Sequence, residues 1–104
     1  MYKMIAIYKK PQDEASFNSW YEGHKELAKK VPHVQEIRLT QITGSPMGPS
    51  DLYLIAELVF SSEEKFQEAM KSKENREAGK DAFAHAKDII SVHFAKETIE
   101  VVAP

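Results

Sequence analysis

The amino-acid sequence predicts an α+β domain whose elements follow the order strand, helix, strand, strand, helix, strand. Two observations carry this prediction. Segments with alternating apolar residues, which are typical of strands, lie at the start, in the middle and at the end of the chain, and segments with helical spacing lie between them. The chain has 104 residues, the size of one domain, so a single domain over residues 1–104 is expected.

The first two elements are a strand over Lys3–Lys9 and a helix over about Asp13–Lys30. The strand has apolar residues on both faces, whereas the helix collects its apolar residues, with one histidine among them, on a single face. The residues on that helical face are Phe17, Trp20, Tyr21, His24, Leu27, Ala28 and Val31. Asp13 is a suitable N-cap, and Val31 ends the helix because a residue before proline is displaced from the helical region.

Two further strands occupy the middle of the chain. They are predicted over Val34–Thr43 and Leu52–Phe60, and the loop between them, residues 44–49, is dense in glycine and proline. Every second residue from Leu52 to Phe60 faces one side, so Tyr53 is expected on the opposite side. An ordinary hairpin connection is the simplest account of the loop.

The last helical region and the final strand show weaker patterns. Ser61 and Glu64 have the spacing of a capping box, which opens a helix. Residues 71–77 are interpreted as a polar connection, and residues 78–87 as a weaker helical segment. A long final strand is predicted over Ile89–Val102.

This order of elements is the ferredoxin-like βαββαβ arrangement, in which two helices cover one face of a four-stranded antiparallel sheet. The other face would be polar in a monomer, but the first and third strands are apolar on both sides. A second copy of the same sheet is the simplest cover for that face. The sequence therefore predicts a homodimer with two sheets face to face, a dimeric α+β barrel.

Composition argues against several classes of function. The net charge is −2 and the charges are interspersed, so nucleic-acid binding is not expected. The absence of cysteine excludes disulfides and thiolate chemistry. No apolar run approaches the length of a membrane span, and the cytoplasm is the expected location. No phosphate loop or dinucleotide fingerprint occurs, so no cofactor is predicted.

His24 is the leading candidate for chemistry, because its helical spacing predicts a buried imidazole. A buried imidazole needs a polar partner, which either the fold or a ligand supplies. Imidazole titrates near neutral pH and suits proton transfer, although a purely structural histidine is the competing interpretation. Asp81 could be its partner across the fold, and His85, four residues later, shares the helical face of Asp81. A solvated pair or a helix cap is the alternative for both, and it is favoured for His85.

An apolar pocket beside this histidine is predicted to be lined by aromatic side chains. The candidates are Trp20, Tyr21, Tyr53, Phe60, Phe66, Phe83 and, as a polar group, His85. Tyr21 and Tyr53 are favoured because a buried hydroxyl needs a partner, while most of the other rings fit a core or a dimer interface equally well. His24, His85 and His93 lack the close spacing of metal ligands, so no metal is predicted.

Three segments resemble the EthD-like domain family. In Tyr21–Pro32 an aromatic residue precedes a histidine, a leucine-alanine pair and a proline, as in the helix signature of that family. Tyr53–Ser62 is similar to the third strand and the start of the next helix. Glu77–Ala84 is similar to a later segment in which an aromatic residue follows an aspartate closely. His33 departs from the family, which usually has glycine there.

The resemblance implies a dimeric α+β barrel with a small cavity between helices and sheet in each subunit. It also implies a small cofactor-free enzyme that binds an apolar or aromatic oxygenated molecule, since family members resemble enzymes of aromatic or polyketide-like molecules and many are described as reductases. In that hypothesis His24 moves a proton and Asp81 assists. Two alternatives stand beside it: a non-catalytic homodimeric module that binds a small ligand or stabilises a partner, and a purely structural dimer with a filled interior.

Overall fold

A computed structural model describes residues 1–104 and contains one four-stranded antiparallel sheet with the strand order β2-β3-β1-β4. The elements are β1 (Tyr2–Lys9), α1 (Glu14–Ala28), β2 (Glu36–Gln41), β3 (Leu52–Phe60), α2 (Glu63–Met70), α3 (Lys73–Ala86) and β4 (Ile90–Lys96). This is the predicted ferredoxin-like fold, with three helices rather than two. No helix of the chain is both long and apolar enough to cross a membrane.

Side-chain caps set where the helices begin. Asp13 caps α1 as predicted, because its Oδ1 accepts a hydrogen bond from the Ser16 backbone N–H at 3.1 Å. The predicted capping box is wrong by one residue, since Ser62 rather than Ser61 caps α2. The hydroxyl of Ser62 accepts from the Lys65 backbone N–H at 3.2 Å.

The interpretation of residues 71–77 as a connection is wrong, because α3 already begins at Lys73. Ser72 caps this helix, and its hydroxyl accepts from the Asn75 backbone N–H at 3.1 Å. The first turn of α3 is polar, so apolar periodicity could not reveal it. Its lysine, glutamate and arginine residues are nevertheless good helix formers, and the cap supplies the starting signal.

Two strands are shorter than the sequence predicts. The predicted strand over Val34–Thr43 narrows to Glu36–Gln41, and the final strand ends at Lys96 instead of Val102. The apolar residues near the C-terminus continue the alternating pattern, but Lys96 pairs with Tyr2, the first residue of β1. The Glu97 backbone N–H still donates to the Met1 carbonyl at 2.8 Å, and the paired strand does not continue past it.

The helix-covered face of the sheet holds the core, which divides into two clusters. The first, called the Tyr8 cluster, consists of Ala6, Tyr8, Phe17, Tyr21, Tyr53, Ala56 and Ala86. The second, called the Phe60 cluster, consists of Ala28, Val31, Leu58, Phe60, Phe66 and Ala69. Each cluster contains residues of α1 and of the sheet, so both ends of α1 are anchored independently.

Tyr53 lies on the side of the sheet opposite to the one predicted. Its hydroxyl donates to Asn18 Oδ1 of α1 at 2.9 Å, and its ring makes an edge contact with Phe17 at 5.5 Å. The pairing of β1 with β3 shifts register between Tyr8 and Lys9, which breaks the regular alternation at the start of β3. The shift turns this tyrosine toward the helices.

The other face of the sheet is open in the single chain. Ile5, Ile7 and Ile55 lie there half-buried, which agrees with the predicted apolar character of this face. Among them Lys3 is only 7 % exposed, and its ammonium contacts Glu57 at 2.7 Å and Glu97 at 2.8 Å. These hydrogen bonds raise the pKa of Lys3, so the open face combines apolar side chains with a satisfied charge network.

Candidate functional site

A cavity of about 200 Å³ lies between the sheet and helices α1 and α3, where the two core clusters meet. It exists because small residues occupy its floor and walls, leaving space that larger side chains would fill. These small residues are Ala6, Ala28, Ala56, Ala78, Gly79 and Ala82. Ala6 and Ala56 are register partners on adjacent strands, so their short side chains leave space above the sheet at this position.

His24 projects from α1 into this cavity, and its side chain is only 11 % exposed. Its Nδ1 lies 2.9 Å from Oδ2 of Asp81 on α3, so the structure contains the contact that the sequence analysis anticipated. The same carboxylate oxygen accepts a hydrogen bond from Trp20 Nε1 at 3.1 Å. The Trp20 ring also stacks on the imidazole, with the ring centres 4.8 Å apart. The imidazole is therefore fixed in position by two neighbours.

The contact with Asp81 determines which ring nitrogen of His24 is free for chemistry. A carboxylate only accepts hydrogen bonds, so Nδ1 carries the proton and donates it to Asp81. The neutral ring then has its lone pair on Nε2, which makes no hydrogen bond within the chain. An Nε2 lone pair in an apolar cavity is the arrangement of a general base, with the carboxylate able to stabilise the imidazolium formed.

Two tyrosine hydroxyls add polar groups to the cavity. Tyr8 and Tyr21 are 1 % and 7 % exposed, and both line the cavity. Neither hydroxyl hydrogen-bonds another group of the chain, and no fully buried side-chain N or O atom lacks a partner, so both hydroxyls retain some exposure. Burial raises the pKa of Tyr21 to about 12 and raises the pKa of Tyr8 as well. At neutral pH both are protonated donors.

The other sequence-predicted pocket residues lie outside this cavity. Trp20 and His85 line a wider neighbouring groove of about 490 Å³, where the rings stack 5.5 Å apart and the His85 side chain is 53 % exposed. The Tyr53 hydroxyl donates its hydrogen bond to Asn18 and does not reach the cavity. Phe83 is 66 % exposed, because the stripe of α3 that faces the cavity runs through its alanines and glycine instead. Of the predicted substrate-binding residues, only Tyr21 reaches the cavity of the single chain.

Sequence reasoning missed two polar residues of the site. Tyr8 was not connected to His24, although it alternates with Met4 and Ala6 along β1 and all three line the cavity. Asn75 was overlooked because it lies in the segment interpreted as a connection. A helix drawn from Ser72 would have placed Asn75 on the stripe of Ala78 and Ala82.

No group of three or more histidine, aspartate or glutamate residues is arranged to hold a metal ion. His93 lies exposed on β4, where its Nε2 is 3.0 Å from the Ser91 hydroxyl. His33 has a positive φ of 67°, and its Nε2 contacts Glu68 at 2.7 Å on the surface. Both histidines are remote from the cavity lining.

Comparison with known proteins identifies relatives of this chain. The EthD domain model matches residues 9–86. An EthD family protein from Bacillus halodurans is 34 % identical, with a match that covers 94 % of this chain and 99 % of that chain and a TM-score of 0.89.

More distant solved structures share the fold at lower sequence identity. The cofactor-independent oxygenase SnoaB from Streptomyces nogalater is 11 % identical, with a TM-score of 0.64. The match covers 99 % of this chain and 96 % of the SnoaB chain. A dimeric ferredoxin-like protein from Jannaschia sp. CCS1 is 14 % identical, with a TM-score of 0.63. The match covers 93 % of this chain and 100 % of that protein's chain.

Proposed function

Because the chain belongs to the EthD family, we propose that it is a small cofactor-independent enzyme that transfers a proton to or from an oxygenated, apolar or aromatic molecule bound in the cavity. One observation carries the proposal: three polar groups on residues that line one mostly apolar cavity have no hydrogen-bond partner in the chain. They are the hydroxyls of Tyr8 and Tyr21 and Nε2 of His24. A bound ligand would complete their hydrogen bonding.

The chemistry follows from the roles of these groups. A ligand oxygen accepts hydrogen bonds from Tyr8 and Tyr21, and Nε2 of His24 removes a proton from the adjacent C–H or O–H group. The electron pair of that bond moves onto the ligand oxygen, where the hydroxyl donors stabilise the negative charge. The imidazolium is stabilised by the carboxylate of Asp81, 2.9 Å away. Return of the proton to another carbon of the ligand completes an isomerisation, and its delivery to a departing hydroxyl group releases water in a dehydration.

The size of the cavity limits the ligand. An apolar cavity of about 150 Å³ holds one benzene ring. The cavity of about 200 Å³ described above therefore suits a single ring with small substituents. The assignment is also supported by SnoaB, a cofactor-independent oxygenase built on the same fold.

The test uses acetophenone as a probe, because its methyl protons are acidified by the neighbouring carbonyl. The protein is incubated with acetophenone in deuterated buffer, and loss of the methyl signal is followed by proton NMR. Wild-type protein should accelerate the exchange, and His24→Gln should reduce the rate by at least about 100-fold, since a positioned general base contributes that much. Binding of the probe is measured separately by titration calorimetry.

The matched control is His33→Gln, which removes an exposed surface imidazole outside both the cavity and the open sheet face. This variant should exchange at the wild-type rate. Equal exchange rates for the His24→Gln and wild-type proteins, with both folded, would remove the proposed base. Saturable binding without any exchange would instead favour the non-catalytic ligand-binding module.

We also propose that the chain works as a homodimer whose open sheet faces pack together. Ile7 and Ile55 are register partners at the centre of that face and are half-buried in the single chain. The Jannaschia relative of the same fold is a dimer. Light scattering after gel filtration should give twice the chain mass, and Ile55→Glu should give monomers. Met47→Glu, in a loop and 96 % exposed, is the control. A wild-type monomer would overturn this part of the proposal.

A further inference from the structure

We propose that Asn75 recognises a hydroxyl at the far end of the ligand, so that the preferred ligand is a single ring with polar groups at two opposite ends. This inference rests on the proposed function, because it concerns the same cavity. Asn75 lies in the first turn of α3 and lines the cavity. Its Nδ2 faces the Met70 carbonyl oxygen at 3.4 Å, while its Oδ1 makes no hydrogen bond within the chain.

The position of Asn75 separates it from the other polar groups. Met70, which Asn75 contacts, packs against the Phe60 cluster, whereas Ala86 at the other end of α3 belongs to the Tyr8 cluster. Asn75 and Ala82 both line the cavity and are seven residues apart, which corresponds to about 10 Å along a helix. The cavity thus extends along α3 from Asn75, at the end next to the Phe60 cluster, toward the Tyr8 cluster, to which Tyr8 and Tyr21 belong.

The wall between the two ends is apolar. Met4, Ala6, Leu58, Ala78 and Val92 line it and offer no hydrogen-bonding side chains. The stretch of about 10 Å between the Asn75 and Ala82 positions of α3 is long enough for one six-membered ring that lies along the helix. The free amide oxygen requires a donor, and a hydroxyl supplies one. A ring whose two polar groups stand in para positions meets all of these requirements.

The experiment compares hydroquinone with 4-methylphenol, which replaces one hydroxyl by a methyl group of similar size. Dissociation constants are measured by titration calorimetry for wild-type protein and for Asn75→Leu, which removes the amide at similar volume. Relative to 4-methylphenol, hydroquinone should bind about fivefold more weakly to Asn75→Leu than to wild type, the size of one net hydrogen bond. Asn75→Asp keeps an oxygen acceptor and should retain most of the hydroquinone affinity.

Asn18→Leu is the matched control, because Asn18 is an asparagine of α1 that bonds Tyr53 outside the cavity. It should leave the ratio of the two dissociation constants unchanged. If both phenols bind and the ratio is the same in wild type and Asn75→Leu, the role of Asn75 is wrong while the ligand cavity stands. If neither phenol binds wild type, the proposed function fails and this inference falls with it. Thermal unfolding confirms that each variant is folded, and Asn75→Ala replaces the leucine variant if that one does not fold.

Discussion

The Tyr8 cluster and the Phe60 cluster cover the same face of one sheet, yet they differ in polarity and in packing. The Tyr8 cluster contains three tyrosines, and two of them line the cavity and have hydroxyls that make no hydrogen bond within the chain. The Phe60 cluster contains only hydrocarbon side chains, and Phe60 and Ala69 are fully buried. Unfinished hydrogen bonding is thus confined to the Tyr8 cluster, whereas the Phe60 cluster borders the cavity only through the hydrocarbon side chains of Ala28 and Leu58.

This division has a physical reason. A hydrogen bond within the chain contributes about 1 kcal/mol to the stability of a small domain, and the hydroxyls of Tyr8 and Tyr21 make none. A chain of 104 residues can carry such groups only if another part of its core is packed efficiently. The Phe60 cluster supplies that packing. The following predictions ask whether the clusters divide stability and ligand binding in this way.

The largest expected effect is the loss of stability caused by a substitution in the Phe60 cluster. Phe60→Ala removes a ring that is 0 % exposed and should lower the free energy of unfolding by about 3–5 kcal/mol, because the cavity it leaves has no guest. Urea unfolding followed by circular dichroism measures the change. A loss below about 1 kcal/mol would show that this cluster is not the principal source of stability.

The second effect is a loss of stability at alkaline pH that originates in the Tyr8 cluster. The pKa of Tyr21 is raised from 10.0 to about 12 by burial, so above pH 10 the unfolded chain ionises while the folded chain does not. The contribution of Tyr21 to the free energy of unfolding should therefore be constant below pH 10 and should fall by about 2–3 kcal/mol as the pH passes 12.

Tyr21→Phe should remove the part of the alkaline loss in the free energy of unfolding that comes from Tyr21. Urea unfolding at a series of pH values from 9 to 12.5 measures it. Lys3 and Tyr8, whose pKa values are also raised, contribute losses of the same sign, and the comparison with the variant subtracts them. An identical pH dependence in wild type and variant would contradict the assignment to Tyr21.

The third prediction compares matched substitutions on two helices. Ala69 lies in the Phe60 cluster and is 0 % exposed, whereas Ala78 is 7 % exposed and lines the cavity. Ala69→Leu should cost about 1–3 kcal/mol through overpacking. Ala78→Leu should cost less, because the added methyl groups enter empty space, and it should weaken binding of 4-methylphenol at least tenfold. Equal costs for the two variants would mean that the cavity closes when it is empty.

The smallest expected effect separates two tyrosines of the same cluster. Tyr53→Phe removes the 2.9 Å hydrogen bond to Asn18 and should cost about 1 kcal/mol. Tyr8→Phe removes a hydroxyl that has no partner in the chain, so the free energy of unfolding should change by less than about 0.5 kcal/mol while phenol binding weakens. Thermal unfolding and calorimetry report the two quantities. A larger stability loss for Tyr8→Phe would indicate that its hydroxyl is structural.

Local patterns in the sequence were sufficient for most of the elements. The strand over Leu52–Phe60 has the predicted bounds, and Asp13 caps the first helix as predicted, because alternation and capping depend on neighbouring residues. The same logic failed at Lys73, where a cap and good helix formers outweighed the missing apolar stripe. It also failed beyond Lys96, where an alternating pattern has no strand to pair with.

The candidate site was predictable only in part. The helical spacing and the family resemblance pointed to His24 and Asp81, and the structure brings their side chains into contact at 2.9 Å. Phe83 and Tyr53 were named from residue type, which says nothing about which wall of a helix or strand borders empty space. Tyr8 was missed because its role depends on the register of β1 against its neighbours.

The sequence by itself determined the order of elements, the face of α1 that is buried and the presence of one histidine on that face. These features depend on residue type and spacing, which act over a few residues. Only the tertiary structure decided that a cavity lies between the Tyr8 cluster and the Phe60 cluster. A cavity is the space left when several distant elements have packed. The alanines that line it come from β1, β3, α1 and α3, and no local pattern shows that they meet.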